Sequence, residues 1–462
     1  MPATRVSNRS PRAGRGERFD VVILGGGSAG EAVVRRLDGR GLRVALIERE
    51  LVGGECAYWA CVPSKTLLRP PEVRAAARHS SGLSEPELEW AKVAAYRDFM
   101  ISNLDDVKKA NRVEATGATV VRGRGEIAAP GRVEVGGRVL EAKHIVVATG
   151  TDGVVPPIEG LPEAGYWTTR DVYTMSEPPR EAVVLGGGPV GLETAQLLRR
   201  LGSRVTIVEE ADRLLSREDS EIGEHLARAL IEEGVELRLG TAAVRVEPAA
   251  GRRVIHLDDG SPIETERIVI ATGRKPRVTG IGLEAVGITV GKSGGIDVDA
   301  RCRAGKGVWA AGDVTAVMPF THVAHYQGEI VADDILGRKR VADYRAIPRV
   351  VFTDPEVAAV GLTRDGADAE GLTVAEGTVD LGTLARTGMY GTGYHGSLTV
   401  LADRDHGSLV GAWAVGPLAS EWIGATVLAI KARVPISVLR DTPMQFPTFG
   451  EALSYAVNDL PF

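Results

Sequence analysis

The run Val21-Val22-Ile23-Leu24-Gly25-Gly26-Gly27-Ser28-Ala29-Gly30 decides the fold class. Apolar residues across 19–24 read as a strand buried on both faces. Gly25-x-Gly27-x-x-Gly30 reads as a tight turn, and 31–37 begins a helix. Residues 42–47 read as a second strand ending at Glu48, 23 positions beyond Gly25. Strand, glycine turn, helix, strand and terminal acid in that order form a dinucleotide-binding unit.

Each glycine has its own task. The first permits the turn, the second lets a pyrophosphate approach the backbone, and the third lets helix pack on strand. The helix N-terminus then faces the phosphates. The same unit returns further on, with a strand over 182–185, the turn Gly186-x-Gly188-x-x-Gly191, a helix over 192–201, and a strand over 205–208 ending at Glu209. Glycines and acids share one offset, 161 positions. Two complete copies predict two dinucleotides. An acid at the second strand's end accepts from a ribose 2′-hydroxyl and repels a 2′-phosphate. Glu209 therefore favours NADH over NADPH in the second copy, while Arg213 nearby keeps NADPH possible.

Directly after the first unit comes Gly54-Glu55-Cys56-Ala57-Tyr58-Trp59-Ala60-Cys61-Val62-Pro63-Ser64-Lys65. A nucleotide site leading into a cysteine pair suggests electrons passing between a bound cofactor and a disulfide. In an unbroken helix, residues five apart have Cα atoms about 8.7 Å apart. A disulfide tolerates at most about 7 Å. If the two cysteines bond, the helix must be distorted or must begin between them. Pro63 supplies a cause, since it cannot donate to the Trp59 carbonyl and pushes Val62 away from helical angles. A helix start also favours a thiolate. Lys65, four positions beyond Cys61, reads either as a solvent-exposed helix lysine or as a cation near the reacting groups.

Composition bounds the remaining possibilities. The 462 residues suit about three domains, with 44% hydrophobic and 25% charged residues as in a soluble globular protein. A net charge of −6 gives no sign of a nucleic-acid surface. No run of about 18 apolar residues suggests a membrane span. Cys56, Cys61 and Cys302 are too few for a secreted disulfide framework. With no histidine before His79, the pair makes a poor zinc site, and no metal site is expected. A close pair in a reducing cytoplasm reads as redox-active, and Cys302 as a core thiol. Arg5, Arg9, Arg12, Arg15 and Arg18 lie among Ser, Pro and Gly and read as a disordered basic tail over 1–17; a targeting leader is the alternative.

Two strands end in Ala-Thr-Gly, at Ala148-Thr149-Gly150 and Ala271-Thr272-Gly273, where the chain crosses between nucleotide domains. A third, over 307–311, ends at Gly312-Asp313. From Arg345 onward the pattern becomes α+β without a nucleotide turn. The expected architecture is α/β, with two Rossmann-like domains and a C-terminal α+β domain. Its plan is 18–156 and 279–344 for the first nucleotide domain, 157–278 for the second, and 345–462 for the last.

Taken together these segments resemble the FAD-dependent pyridine nucleotide–disulfide oxidoreductases, the family of lipoamide dehydrogenase, glutathione reductase and mercuric reductase. The resemblance runs from Phe19 to the end. It also rests on Thr321-His322-Val323-Ala324, the run 347–357, and Pro447-Thr448-x-x-Glu451. It implies FAD in the first unit, at Gly25, Gly27, Gly30, Glu48, Thr149, Gly150 and Asp313. It implies the nicotinamide cofactor in the second, at Gly186, Gly188, Gly191, Glu209 and Gly273. Lys65 looks like the family lysine beside the flavin N5, paired to Glu193. Cys61 would be the charge-transfer thiolate and Cys56 the interchange thiol. The last domain looks like the dimerisation domain, which in the family completes the partner subunit's active site in a homodimer.

One departure matters. Where disulfide-reducing members carry His-Pro-Thr-x-x-Glu, this chain has Phe446-Pro447-Thr448-Phe449-Gly450-Glu451, and no histidine follows His406. Loss of an acid–base typically lowers a rate by about 10²–10⁴. Glu451 alone remains as a possible base. Tyr58 and Trp59 replace smaller residues between the cysteines, either as packing or as a stacking surface. The expected reaction moves electrons from NAD(P)H through FAD and the Cys56/Cys61 pair to a small-molecule acceptor needing no thiol acid–base, such as a quinone, a dye-like molecule or a metal ion. A lipoamide-type or other low-molecular-weight disulfide reductase with a relocated base is the alternative. Carbanion chemistry like that of ketopropyl-coenzyme M carboxylase, which also has Phe there, ranks third. Mercuric reduction itself is disfavoured, because that enzyme's C-terminal cysteine pair is absent.

Overall fold

The computed structural model describes residues 16–249, 251–391 and 394–462. The arginines at positions 5, 9, 12 and 15 and most of the expected basic tail lie outside them; Arg18 is already in the first strand. The chain divides into two compact units, one made of 16–54, 105–151 and 276–342, the other of 55–104, 152–275 and 343–462.

The first unit is built on an eight-stranded sheet. Its parallel centre runs Val308–Ala310, Arg138–Val147, Glu17–Leu24, Val44–Glu48 and Thr119–Arg122. Side chains alternate across such a sheet, so one apolar run feeds two cores. Val21, Ile23 and Leu46 pack under the helices Ser28–Leu37 and Thr321–Ile335, while Val22, Leu24, Ala45 and Ile47 pack on the opposite face. Both faces are therefore covered, as a parallel sheet requires. The two helices touch closely: a Cβ on Gly328 would lie 2.6 Å from the Ala29 carbonyl oxygen. Cys302 is fully buried in this core.

The second unit holds a parallel four-stranded sheet in the order Glu236–Leu239, Arg204–Glu209, Glu181–Leu185, Arg267–Ile270. It also holds a three-stranded antiparallel sheet over 243–265 and a five-stranded antiparallel sheet over 348–416. The cysteine segment groups here because its helix Cys61–His79 buries Leu67 and Leu68 among Val172, Tyr173, Met175, Leu192 and Ala195. The C-terminal core is apolar in the same way, from Ala346 to Leu460.

Candidate active site

In the first unit the glycine turn is shaped by what it excludes. Gly25 has φ +110°, and a Cβ there would lie 2.2 Å from the Ala148 carbonyl oxygen. A Cβ on Gly30 would lie 2.1 Å from the Gly25 carbonyl oxygen. At Gly27 a Cβ would meet only Gly54 Cα, at 3.8 Å. The first and third glycines thus serve the fold, while the second keeps open the space a pyrophosphate would take. Glu48 is buried at the end of its strand, where Oε2 accepts from the Gly26 N–H at 2.7 Å and Oε1 from the Glu50 N–H at 2.7 Å. Each oxygen keeps a further lone pair for a ribose hydroxyl. Asp313 Oδ2 accepts from Thr151 Oγ1 at 3.0 Å, and the Gly312 N–H donates to Gln327 Oε1 at 2.7 Å. Thr149 Oγ1 donates to the Arg277 carbonyl at 2.8 Å, and Gly150 accepts from the Arg277 N–H at 2.9 Å. These residues fit a dinucleotide.

The second turn repeats this arrangement in the other unit. A Cβ on Gly191 would lie 2.0 Å from the Gly186 carbonyl oxygen, whereas one on Gly188 would meet nothing within 4 Å. Glu209 Oε2 accepts from the Gly187 N–H, and Oε1 from the Ala211 N–H at 2.8 Å. Even the hydrogen bonds that hold the acid are duplicated. Gly273 is open, with nothing within 4 Å of an added Cβ. Arg213 donates to the carbonyls of Leu215, Ser216 and Glu218. Those bonds fold it into its own loop.

The cysteines also lie in the second unit, on two separate helices. Cys56 is in the short turn Gly54–Tyr58, and Cys61 opens the helix Cys61–His79. The break falls at Ala60, with φ −136° and ψ −100°. Pro63 then sits in the first helical turn, where its missing N–H is tolerated. The distortion that the spacing demands is thus present, with the helix beginning between the cysteines. Tyr58 is 2% exposed and therefore packs in the interior. Trp59 is half-buried, with the Arg170 guanidinium stacked on it at 4.0 Å.

One turn beyond Cys61, Lys65 Nζ lies 2.5 Å from Glu193 Oε2. Glu193 is only 4% exposed and also accepts from the Phe352 N–H at 3.0 Å. Lys65 Nζ sits 4.7 Å from the Phe352 ring centroid. Phe352 thus braces both members of the pair, a part that nothing local in its strand-like run signals. Tyr173 is a second residue that spacing alone does not reveal: its hydroxyl lies 3.3 Å from Thr194 Oγ1. Burial, then the Glu193 carboxylate, holds its phenol well above the ordinary value, so it remains protonated.

At the C-terminal end Phe446 is 73% exposed. Glu451 begins the helix Glu451–Asp459, is buried, and accepts from the Thr448 N–H at 3.2 Å. Thr448 Oγ1 donates to the Gln445 carbonyl at 2.8 Å. The carboxylate serves its own helix start, where negative charge is favourable.

Residues 19–328 match the model of the pyridine nucleotide-disulphide oxidoreductases, and 347–457 match that family's dimerisation domain. The chain belongs to that family. As a pyridine nucleotide-disulphide oxidoreductase it is an enzyme that uses FAD and NAD(P)H. Among its relatives is a mercuric reductase of Streptomyces lividans, 34% identical over 455 residues, which cover 95% of this chain and 96% of that one. A dihydrolipoyl dehydrogenase of Thermus scotoductus is 33% identical over 457 residues, 96% and 97% of the two chains. Among solved structures, the Cu(II) complex of the HOCl-induced flavoprotein disulfide reductase RclA from Escherichia coli superposes with a TM-score of 0.85 at 28% identity. That match covers 96% of this chain and 99% of RclA.

Proposed function

We propose that this oxidoreductase takes electrons from NADH and delivers them, by way of FAD and the Cys56/Cys61 disulfide, to a small acceptor that needs no protonation by an imidazole. Phe446 carries this reading. A phenyl ring in the acid–base position neither deprotonates a dithiol nor protonates a departing thiolate. Glu451, bonded to Thr448 at a helix start, is a poor replacement. Bound FAD supplies the two-electron link between nicotinamide and disulfide. Glu48 and Asp313 hold it, together with the turn Gly25–Gly30, Thr149 and Gly150. Cys61 would act as the charge-transfer thiolate and Cys56 as the interchange thiol, with Lys65 held in place by Glu193.

NADH is preferred because Glu209 stands where a 2′-phosphate would go, with Glu210 and Asp212 close in sequence. Arg213 is committed to backbone carbonyls. The domain over 345–462 joins two copies in a homodimer and places Phe446 in the partner's site. Among the described residues no helix is long and apolar enough to cross a membrane. A redox cysteine pair suits the reducing cytoplasm. The acceptor is a quinone-like molecule or a metal ion other than mercury, since no cysteine follows Cys302.

The test is an acceptor series on the enzyme with NADH. Reduction should give a thiolate-to-flavin charge-transfer band, and the enzyme should then turn over a quinone or Cu(II) faster than lipoamide or glutathione disulfide. Rapid lipoamide turnover overturns the reading in favour of a disulfide reductase with a relocated base.

A further inference from the structure

Arg170 grips the turn that carries Cys56 from outside. Arg170, in the helix Thr169–Tyr173, forms an ion pair with Glu55 and lays its guanidinium over the Trp59 indole, 4.0 Å from the ring centroid. Glu55 and Trp59 are four positions apart, bridged by a Trp59 N–H to Glu55 carbonyl bond of 2.8 Å, so they share one side of the turn with Cys56 between them in the chain. Arg170 is itself anchored. Its helix starts with a reciprocal capping box between Thr168 and Asp171 and buries Val172 and Tyr173. From within, Tyr58 pins the same turn at 2% exposure.

That grip has a consequence for the disulfide. Were the turn to run on into the helix Cys61–His79, the cysteine Cα atoms would stand about 8.7 Å apart, beyond the roughly 7 Å a bridge tolerates. Pro63 removes only one of the bonds that would join the two helices. Two contacts to a third helix, the Glu55 ion pair and the Trp59 stack, add further restraint. We infer that Arg170 is a positioning residue for the disulfide, holding the Cys56 turn apart from the following helix and so favouring the oxidised pair. The inference rests on the redox role proposed above for the two cysteines. Forming the dithiol breaks the Cys56–Cys61 bond with uptake of two electrons and two protons. The electrons come from NADH through FAD in turnover, or from dithiothreitol in a titration. Arg170 biases that equilibrium against the dithiol.

The experiment equilibrates the holoenzyme anaerobically with mixtures of reduced and oxidised dithiothreitol. Acid quenching, alkylation and mass analysis of the peptide containing positions 56–61 then read the oxidised fraction. Arg170→Met should shift the equilibrium about tenfold toward the dithiol, about 30 mV in midpoint potential, with FAD content and circular dichroism unchanged. Glu55→Gln/Arg170→Met, which leaves no stranded carboxylate, should show the same shift. Trp59→Leu, a second variant should the first fold poorly, should move it severalfold in the same direction. An equilibrium within twofold of the parent in both single variants overturns the inference. So does a double variant that regains the parent value, since charge rather than placement would then be responsible. A parent enzyme with no reversible Cys56/Cys61 couple overturns both the inference and the disulfide route beneath it.

Discussion

At the scale of single residues, the two glycine turns separate folding from binding. Gly188→Ala introduces a methyl group into open space, so the protein should fold normally while NADH affinity falls at least tenfold, as isothermal titration would show. Gly191→Ala forces a Cβ to within 2.0 Å of the Gly186 carbonyl oxygen and should instead yield little folded protein. The Lys65–Glu193 pair makes the complementary point. Breaking a buried pair typically costs about 3–5 kcal/mol; Glu193 has little access to water, but the Lys65 side chain is 35% exposed, which lowers the cost. Lys65→Met should therefore lower stability by about 1–2 kcal/mol in denaturant unfolding, with the Phe352 N–H still donating to the carboxylate. The glycines were readable in the chain because their tasks are local and spaced by one turn. Phe352 was not, since its part depends on a strand meeting two helices from distant positions.

Among elements, the helix Ser220–Glu232 shows how side chains join one layer to another. Its start carries Glu218, Asp219 and Glu221, where negative charge suits the helix dipole. Arg349 pairs with Glu218 at 2.8 Å, and Arg364 pairs with Asp219 and, at 2.6 Å, with Glu376. Glu221 accepts from Ser397 Oγ at 2.7 Å, Thr399 Oγ1 at 3.1 Å and Trp413 Nε1 at 3.0 Å, all on the antiparallel sheet. Burial opposes its ionisation, but the bonds from Ser397, Trp413 and Thr399, with Arg364 nearby, together hold the carboxyl below the ordinary 4.5. Its folded value being depressed, Glu221 stabilises fully above the unfolded value and loses that contribution as pH falls through the folded one. Glu221→Gln should therefore flatten the acid limb of thermal stability as pH falls below the ordinary 4.5. A variant whose acid limb matches the parent's would show that other carboxylates dominate there. The cysteine segment carries its own break signal in Pro63, yet Arg170 lies more than a hundred positions away and announces nothing.

For the whole molecule, the proposed function turns on Phe446. Phe446→His should raise lipoamide or glutathione disulfide turnover by about 10²-fold. NADH consumption with these substrates measures it, and quinone turnover should change little. In a homodimer whose sites are completed by partners, a mixed dimer of one Phe446→His/Cys56→Ser chain and one parent chain should hold one repaired site. Disulfide turnover no better than the parent's in that mixed dimer would show that each chain works alone. The two nucleotide units, the cysteine pair and the phenylalanine at 446 are legible in the chain alone, because each is a short pattern in which neighbours along the chain do the chemistry. Packing sets the rest: Arg213 is spent on its own loop, Glu451 serves a helix start, and Arg170 grips the Cys56 turn. Those are choices among partners brought together by packing, and a side chain's partner is set by where the backbone places it rather than by its neighbours in sequence.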